Sequence, residues 1–393
     1  MFDSLKPLPA DAILRLIAEF AHDSRDEKVD LGVGVYRNEE GETPVLKAVK
    51  KAEQYLVDEQ ASKAYVGSGG APAFNDAIER LTFGDDVAQE RITTLQTPGG
   101  SGSLRVSAGL LLRSKPDVTV WVSDPTWANH EPLLGGAGLN LQTYPYYDRD
   151  GCAIRFDEML DKLRTVPAGD AVLLHGCCHN PTGMDLSREQ WGQVTELLAE
   201  RRILPFVDLA YQGFADSLDD DAYGIRLLAG KVPEMIVSTS CSKNFGLYRD
   251  RVGSLSVVSS NAETAAIVKS QAHNIVRTMY SMPPDHGAAV VEHILTNASL
   301  RHEWEKELAD MRNRLQSMRD LLVKALRDKA PDSDFSHISR ANGMFCFVGL
   351  SEKQVEQLKK DHGVYMVGSS RINVAGITPD NVDYLAGAIA SVL

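Results

Sequence analysis

The most constraining feature of this sequence is a regular alternation, from about residue 45 to about residue 260, of segments with helical periodicity and short apolar runs. The clearest runs lie at 118–122, 171–174, 203–207, 235–238 and 255–258. A chain that alternates in this way forms a mainly parallel sheet between helices. Polar residues closely follow four of these runs, and ligands of such sheets bind beyond the carboxyl ends of the strands. The alternation therefore predicts an α/β fold with one site formed by several strand ends.

The C-terminal part of the chain has a different pattern. Residues 300–327 carry apolar side chains three or four positions apart, which predicts one long amphipathic helix with Asn297 or Ser299 as its cap. Short apolar runs at 343–348 and 364–367 look like strands, and a helical segment closes the chain. These elements predict a small α/β unit.

A chain of 393 residues exceeds the usual size of one hydrophobic core, so we expect two domains. The large domain is predicted to span residues 44–310. The small domain is predicted to combine residues 1–43, which include an N-terminal arm, with residues 311–393.

Composition excludes several classes of function. The formal net charge of -13, without any run of lysine or arginine, opposes binding to nucleic acid. No segment has the roughly 18 to 20 consecutive apolar residues that span a bilayer, so we expect no membrane association. The first residues, MFDSLKPLPADAILRL, lack the pattern of a secretory signal, and we expect a cytoplasmic protein. The 5 cysteines are scattered and odd in number, which fits reduced thiols better than disulfides.

Lys243 follows an apolar run in the segment SCSKNFG, so a strand end is predicted to direct it into a cleft. Burial lowers the pKa of an amine, and the neutral amine is the form that attacks an aldehyde to give a Schiff base. A surface lysine after a strand is the alternative that this residue alone leaves open.

Asp208 ends the apolar run ILPFV, and Tyr211 follows three positions later. A carboxylate at the end of a buried strand needs a cationic partner. A protonated pyridine nitrogen is one such partner, whereas a structural salt bridge and a metal ion remain alternatives.

The segment HGCCHNPTG, residues 175–183, contains two histidines and two cysteines, which are good zinc ligands. Consecutive positions at a strand end cannot readily surround one ion tetrahedrally, and no second ligand cluster completes a zinc pattern. We therefore predict no metal site. Asn180 opens a turn that either only leads into the next helix or donates a hydrogen bond to a ring oxygen.

The glycine-rich segment TPGGSGSL, with Gly100 and Ser101, precedes a helical segment. Free N–H groups and the helix dipole at such a position bind phosphate, although a flexible turn has the same composition. Arg251 is suited to clamp the same phosphate or to form an ordinary ion pair.

Taken together, SCSKNFGLYRDR, DLAYQGF, HGCCHNPTG, QTPGGSGSLR, SDPTWANH and SRINVAG closely resemble the class I aminotransferases, specifically the aspartate and aromatic amino acid aminotransferases. The resemblance runs almost end to end and includes LGVGVYRNEEG and MYSMPPDHGA. It implies a pyridoxal 5'-phosphate cofactor and the type I transferase fold. That fold has a large domain with a mainly parallel seven-stranded sheet between helices, and a smaller α/β domain.

By this resemblance, Lys243 binds the cofactor as a Schiff base and later moves the proton between the substrate α-carbon and the cofactor. Asp208 keeps the pyridine nitrogen protonated, and Tyr211 and Asn180 hydrogen-bond the phenolic oxygen of the ring. Trp127 stacks on the ring. These roles are implied by the family.

The resemblance also implies a homodimer with shared active sites. Tyr65 matches a residue that reaches the phosphate from the neighbouring subunit, and Arg277 matches the arginine of that subunit which pairs with a side-chain carboxylate. The residues that match the phosphate cradle are Gly100, Ser101, Ser240, Ser242 and Arg251.

The implied substrates are amino acids and 2-oxo acids. Arg371 matches the fork that binds the substrate α-carboxylate, a role for which the planar guanidinium is suited. Gly34 matches a position on the mobile segment that covers the substrate, where the missing side chain leaves room. The implied reaction is a ping-pong transamination of aromatic amino acids, aspartate or both with 2-oxoglutarate.

Departures from the family pattern concern substrate choice. Met282 stands where aspartate-preferring members carry asparagine, and Ser101 stands where many carry threonine, so both favour a bulkier apolar side chain. Arg37 and Thr43 resemble the aspartate type instead. We expect dual specificity, with Arg277 swinging toward water when an aromatic substrate binds. Strict aspartate specificity is the alternative.

Three other functions are weighed against transamination. A pyridoxal-phosphate lyase would use the same fold, but the pair Arg371 and Arg277 argues for dicarboxylate transamination. A cofactor-binding regulator would need an attached DNA-binding module, for which the chain has no spare length. A nicotinamide dehydrogenase would need a G-x-G-x-x-G segment, which is missing.

Overall fold

The computed structural model describes residues 1–7, 12–85 and 87–393. The α-helices of this part of the chain are α1 Ala12–His22, α2 Lys47–Glu59, α3 Pro72–Phe83, α4 Gly99–Ser114, α5 Phe156–Leu163, α6 Arg188–Arg201, α7 Tyr223–Lys231, α8 Ala262–Met279, α9 His286–Thr296, α10 Ala298–Lys329, α11 Ser336–Arg340, α12 Glu352–His362 and α13 Val382–Ala390. Short helical turns lie at Phe2–Ser4, Gln89–Arg91, Glu131–Gly135 and Val374–Gly376.

The strands of the described residues are β1 Val29–Asp30, β2 Ile92–Pro98, β3 Thr119–Asp124, β4 Asn140–Pro145, β5 Tyr147–Asp148, β6 Ala153–Ile154, β7 Ala171–His175, β8 Leu204–Leu209, β9 Met235–Ser240, β10 Val252–Val258, β11 Phe345–Phe347, β12 Val364–Tyr365 and β13 Arg371–Asn373. Seven of them form one sheet in the order β2-β10-β9-β8-β7-β3-β4. Strands β9, β8, β7, β3 and β4 run parallel, and β10 is antiparallel to both of its neighbours. The predicted α/β fold with a mainly parallel sheet of seven strands is confirmed.

The interior strands are the ones that their apolar runs identify. Every residue of β9 and β10 is buried, and β7 and β8 are buried except at one end. Both faces of such strands are covered by helices, so their sequences read as continuous runs of apolar and small residues. All five apolar runs lie within or overlap strands.

The edge strands β2 and β4, with the sequences ITTLQTP and NLQTYP, are missing from the prediction. Several of their side chains are only partly buried, and β4 exposes three of its six residues. Half-covered strands keep polar residues on one face, and neither sequence contains an apolar run. Their position in the sheet comes from pairing with β10 and β3.

The small C-terminal elements assemble with the N-terminal segment, as the sequence suggests. Strand β1 pairs in parallel with β12, and β11 pairs with β13 in antiparallel orientation. Helix α10 spans 32 residues, and the side chain of Asn297, rather than that of Ser299, caps it by accepting hydrogen bonds from two backbone N–H groups. The exact domain boundaries, 44–310 against 1–43 and 311–393, stay a prediction.

Helix α10 also holds the loop that carries Lys243. Trp304 on α10 is fully buried, and its indole Nε1 donates a hydrogen bond of 2.7 Å to the carbonyl oxygen of Asn244. Its ring stacks on Phe245 with the centroids 4.3 Å apart. The long helix therefore fixes the backbone next to the lysine.

No helix in the described part of the chain combines the length and the apolar character needed to cross a bilayer.

Replacing Trp304 by Phe is expected to lower the free energy of unfolding by about 1 to 3 kcal/mol, because the buried carbonyl of Asn244 loses its donor. The matched control is Trp121→Phe, whose partly exposed indole makes a longer bond of 3.2 Å to Asp170. Asp170 keeps its ion pair with Lys115 in that control, so the cost should be smaller. Urea unfolding followed by fluorescence and circular dichroism measures both; equal losses would contradict the role of Trp304.

Candidate active site

The carboxyl ends of the parallel strands and the start of α4 surround one cavity of about 220 Å³. Eleven of its 16 lining residues are site residues predicted from the sequence, and the other five lie in the same motifs. The cavity is lined by Gly34, Gly100, Ser101, Leu104, Trp127, His175, Cys177, Asn180, Asp208, Ala210, Tyr211, Ser240, Ser242, Lys243, Tyr248 and Arg251. The strand ends predicted to meet at one site do meet there.

Strand register explains this convergence. His175 at the end of β7 pairs with Asp208 on β8, and Asp208 pairs with Ser238 on β9. After β9 the chain turns sharply, with the Gly246 N–H donating to the carbonyl of Lys243 at 3.1 Å. Lys243 begins this turn, and it lines the same cavity as Asp208.

The amine of Lys243 lies 4.8 Å from the centre of the Tyr211 ring and forms no hydrogen bond with any described residue. Burial lowers the pKa of Lys243 from 10.5 to about 8. The negative charge of Asp208 raises that pKa and the positive charge of Arg251 lowers it, both by less than burial does. About a tenth of this amine is therefore neutral at pH 7, far more than for a lysine of ordinary pKa, and the neutral form is the one that attacks an aldehyde.

Asp208 is buried, with 8% of its surface exposed. Burial alone would raise its pKa, but a hydrogen bond from His130 and the nearby charges of His130, His175 and Lys243 outweigh that effect. The pKa of Asp208 therefore lies below 3.8, and the carboxylate stays ionised. An ionised, buried carboxylate in a cavity can hold a proton on a basic ring nitrogen.

His130 contacts Asp208 and is a candidate site residue that no sequence pattern singles out. It is fully buried, and its Nε2 lies 3.1 Å from Asp208 Oδ2. Its Nδ1 lies 2.8 Å from the hydroxyl of Thr126, which is in turn 3.1 Å from Nε2 of His175. Its position in the motif SDPTWANH, three residues after Trp127, was the one sequence feature that pointed to it. A single histidine in a loop does not indicate which strand end its side chain faces.

The N-terminus of α4 forms the anion-binding end of the cavity. Gly99 opens the helix with a φ of 68°, and a Cβ atom there would lie 2.5 Å from Arg251 Nη2. Arg251 donates to the Ser242 hydroxyl at 3.4 Å and makes no ion pair with any described carboxylate. The first turn of α4 contains no acidic residue either. Free N–H groups, hydroxyls and an unpaired cation together suit a phosphate.

Asn180 and Tyr211 line the middle of the cavity. Both are buried, and the side-chain oxygen of Asn180 has no hydrogen-bond partner among the described residues. Buried polar groups are rarely left without partners, so this amide indicates a ligand group. Trp127 lines the same cavity and contacts His130 edge to face, with the ring centroids 5.2 Å apart.

Arg371 lies beside Tyr211 rather than in the cavity lining. Its guanidinium covers the Phe345 ring at 4.3 Å, and its Nη2 donates to the carbonyl of Gly32 at 3.0 Å. Only 7% of Arg371 is exposed, yet its Nε has no acceptor and it pairs with no described carboxylate. A buried, unpaired guanidinium suits an anionic ligand. Gly34 lies close by, because a Cβ atom there would be 3.3 Å from Phe345 Cζ.

Tyr65 and Arg277 lie outside the cavity of their own chain. Tyr65 is 92% exposed, and Arg277 is exposed at the end of α8, where it donates to Ser281. The two segments adjoin, since the Val66 N–H lies 3.2 Å from Met282 Sδ. One chain therefore presents both residues on one surface.

Two of the residues predicted to influence substrate choice are tied to local structure. Arg37 forms an ion pair with Asp30 at 2.7 Å, and the hydroxyl of Thr43 donates to the carbonyl of Tyr36 at 2.8 Å. Ser101 lines the cavity itself.

Among the described residues, one cluster has side chains close enough to hold a metal ion: Cys177, Cys178 and Asp221. The two histidines of HGCCHNPTG do not join it. His179 Nε2 lies 2.9 Å from the Ser123 hydroxyl, and its ring stacks on Tyr146 at 4.1 Å. Burial lowers the pKa of His179 to about 3, so this imidazole is neutral.

A buried lysine of lowered pKa shares this cavity with an ionised aspartate and with an arginine at the start of a helix. These features, on a mainly parallel sheet, fit a pyridoxal-phosphate enzyme of the α/β type. The family model described as "Aminotransferase class I and II" matches residues 26–389. The chain belongs to the class I and II aminotransferase family, as the sequence resemblance predicts.

Known relatives agree over the full length. The chain is 48% identical to the aspartate aminotransferase of Escherichia coli over 396 aligned residues, covering 100% of both chains. It is 44% identical to the aromatic-amino-acid aminotransferase of Pseudomonas aeruginosa, covering 100% of this chain and 98% of the relative. It is similar, with a TM-score of 0.98 and 42% identity, to the Burkholderia pseudomallei aromatic-amino-acid aminotransferase covalently bound to pyridoxal phosphate, covering 100% and 99% of the two chains.

In the apoprotein, competitive acetylation of Lys243 as a function of pH should show a midpoint near 8, the pKa to which burial lowers this amine. Asp208→Asn removes a negative charge that raises this pKa, so the midpoint should fall. Arg251→Met removes a positive charge that lowers it, so the midpoint should rise. Peptide mass spectrometry measures the labelling. A wild-type midpoint near 10.5 would contradict the environment described here.

Proposed function

We propose that this chain transaminates aspartate and aromatic amino acids with 2-oxoglutarate, with Lys243 as the residue that bonds the cofactor and moves the proton. The aminotransferase activity and the pyridoxal 5'-phosphate cofactor follow from the family. One observation carries the residue assignment: the amine of Lys243 has a lowered pKa and shares a cavity with the ionised carboxylate of Asp208.

The residues of the cavity fit the cofactor. The phosphate is proposed to bind to Gly100, Ser101, Ser240, Ser242 and Arg251. These residues line one cavity at the start of α4, where Arg251 pairs with no described carboxylate. Bound pyridoxal phosphate supplies an electron sink for the charge that develops when the substrate α-carbon loses its proton. Asn180 and Tyr211 are proposed to hydrogen-bond the ring oxygen, and Trp127 to cover the ring.

Asp208 and His130 are proposed to act as a pair. The carboxylate of Asp208 keeps a proton on the pyridine nitrogen, because its own pKa lies below 3.8. His130 holds the carboxylate in position through the 3.1 Å contact at Nε2. Thr126 fixes the orientation of the His130 ring at Nδ1, so the loop after β3 sets the geometry of this pair.

The amine of Lys243 is proposed to take the proton from the substrate α-carbon and to deliver it to the cofactor. General acid–base catalysis of this kind contributes about 10² to 10⁴-fold. The base must be neutral to accept the proton, and the pKa near 8 brings Lys243 close to that requirement at neutral pH. Gly34 leaves space above the site for the substrate.

Arg371 is proposed to bind the substrate α-carboxylate. Its free Nε and its buried position support this role, since a planar guanidinium pairs bidentately with a carboxylate. Arg277 of the neighbouring subunit is proposed to bind the side-chain carboxylate of aspartate or 2-oxoglutarate. When an aromatic side chain occupies that pocket, Arg277 turns toward water to avoid burial without a partner.

A homodimer is part of this proposal. Tyr65 and Arg277 are exposed on adjoining segments of one chain, and a two-fold axis would bring the same surface of each subunit against the other. Tyr65 would then reach the phosphate of the neighbouring site.

We propose a cytoplasmic location as well, in keeping with five cysteines that form no disulfide.

Adding aspartate or phenylalanine separately to the holoenzyme should bleach the visible absorbance of the bound cofactor, and 2-oxoglutarate should restore it. The two rates rank the donors. Lys243→Ala is the control, which should bind the phosphate group but lose turnover. Bleaching by aspartate alone would mean strict aspartate specificity, and bleaching without restoration by any 2-oxo acid would argue for lyase chemistry.

Active-site complementation tests the shared site. Arg277→Leu should cost about 2 to 5 kcal/mol of transition-state stabilisation with aspartate and much less with phenylalanine. Refolding Lys243→Ala together with Arg277→Leu should restore aspartate turnover, because each mixed dimer contains one site with both wild-type residues. If the mixture is no more active than the separate variants, Arg277 acts within its own chain.

A further inference from the structure

Two thiols that are adjacent in sequence lie at the catalytic cavity, and one of them, Cys177, lines it. Cys177 and Cys178 are only 5% and 3% exposed, and their Sγ atoms lie within 4.8 Å of each other. Cys177 lines the catalytic cavity and also a second, polar cavity of about 490 Å³. Cys178 has a left-handed φ of 50°, which is rare for a residue with a side chain. The turn thus brings neighbouring side chains together that would point apart in an extended chain.

Asp221, the third member of this cluster, already serves the local backbone. Its two carboxylate oxygens accept hydrogen bonds from the N–H groups of Gly213, Ala215 and Asp216 at 2.7, 3.0 and 2.9 Å. A structural zinc ion needs four ligands, and the described residues of the cluster offer two free sulfurs. The pair is therefore suited to a soft element that needs only two sulfur bonds.

A buried cation stands beside this pair. Arg319 is 2% exposed, makes no ion pair with any described residue, and has an Nε without an acceptor. It donates to the carbonyl of Gly343, and a Cβ atom at Gly343 would lie 2.9 Å from Cys178 Sγ. Only a glycine backbone therefore separates the guanidinium from the sulfur. The charge of Arg319 lowers the pKa of Cys178, although burial raises that pKa by more.

We propose that Cys177 and Cys178 form a dithiol site that binds trivalent arsenicals. A monosubstituted arsenoxide, R–As=O, reacts with both thiols to give R–As(S–Cys)₂ and water. Two arsenic–sulfur bonds form, the arsenic–oxygen double bond is lost, and the two thiol protons leave with the oxygen. Arsenic stays trivalent, so no oxidant or reductant is needed.

The two bonds to sulfur separate this reaction from ordinary alkylation. Burial raises the pKa of Cys177 well above 9.0 and that of Cys178 to about 12. Both reactions use the thiolate, which is scarce here, so both are slow at either sulfur. The arsenoxide is retained because it forms two bonds to one pair of sulfurs, whereas an alkylating agent gains nothing from the second thiol. Iodoacetamide should therefore label the folded protein slowly at both positions.

The dithiol site adjoins the catalytic cavity. Cys177 shares the cavity lining with Asp208 and Tyr211, and Cys178 Sγ lies 4.0 Å from the carbonyl oxygen of Tyr211. An aryl group on the bridging arsenic would occupy one of the two cavities that Cys177 lines. Loss of turnover is the expected consequence, but binding itself does not depend on the proposed function.

Phenylarsine oxide added to the holoenzyme should give one adduct per subunit by native mass spectrometry, with the mass of the reagent less one water. A dithiol such as 2,3-dimercaptopropanol should remove it, and a monothiol should not. Cys177→Ser and Cys178→Ser should each lose the adduct. Cys241→Ser and Cys346→Ser, which alter other buried thiols, should keep it.

Three outcomes would overturn the proposal. The folded protein could fail to bind while the same chain, unfolded in urea, binds, or either cysteine variant of the pair could keep the adduct. Cys346→Ser could also lose it, which would assign the second sulfur to Cys346, another buried thiol that interacts electrostatically with Arg319. Circular dichroism checks that each variant is folded. The adduct is measured by mass, so a failure here is distinguishable from a failure of the transaminase proposal, which is measured by absorbance.

Discussion

The active site depends on one electrostatic arrangement: the amine of Lys243 and the carboxylate of Asp208 share a buried cavity without forming a direct ion pair. Burial favours the neutral form of both groups. At Lys243 burial is the largest effect, and the pKa falls to about 8. At Asp208 the hydrogen bond from His130 and the nearby charges outweigh burial, and the pKa is lowered. The same cavity thus provides a nucleophilic amine and a permanent negative charge, and the register of β7, β8 and β9 sets their separation.

No carboxylate among the described residues neutralises Arg251 or Arg371 at this site. Arg251 stands at the start of α4, and Arg371 is buried against Phe345 with one N–H group unbonded. A buried charge without a partner destabilises the folded protein, so ligands that carry a phosphate and a carboxylate should also stabilise it. The geometry selects molecules that carry both anions, or two molecules that carry one each, which is what a phosphorylated cofactor and an amino acid provide.

Much of the fold and part of the site could be predicted from the sequence, for identifiable reasons. Interior parallel strands are buried on both faces, so they appear as apolar runs, and the residues after them converge because parallel strands share an edge. The strands β2 and β4 carry polar residues and are defined by pairing, which a local pattern does not report. The position of His130 and the contact between Cys177 and Cys178 depend on the conformation of loops, which a sequence pattern does not specify. For HGCCHNPTG, the spacing of the residues argued against a zinc site and predicted nothing further.

Substrate choice is the property least fixed by a single chain. Tyr65 and Arg277 lie at the surface, beside the segment where Met282 accepts the Val66 N–H. In the proposed dimer they would complete the site of the neighbouring subunit. In the proposed dimer, an arginine at a helix end can face the pocket or water at modest cost, since its partner Ser281 is neutral. A mobile cation next to a flexible methionine would accept a carboxylate in one position and an aromatic ring in the other. Dual specificity then arises from a side chain that moves, while the residues that perform the chemistry stay fixed on the sheet.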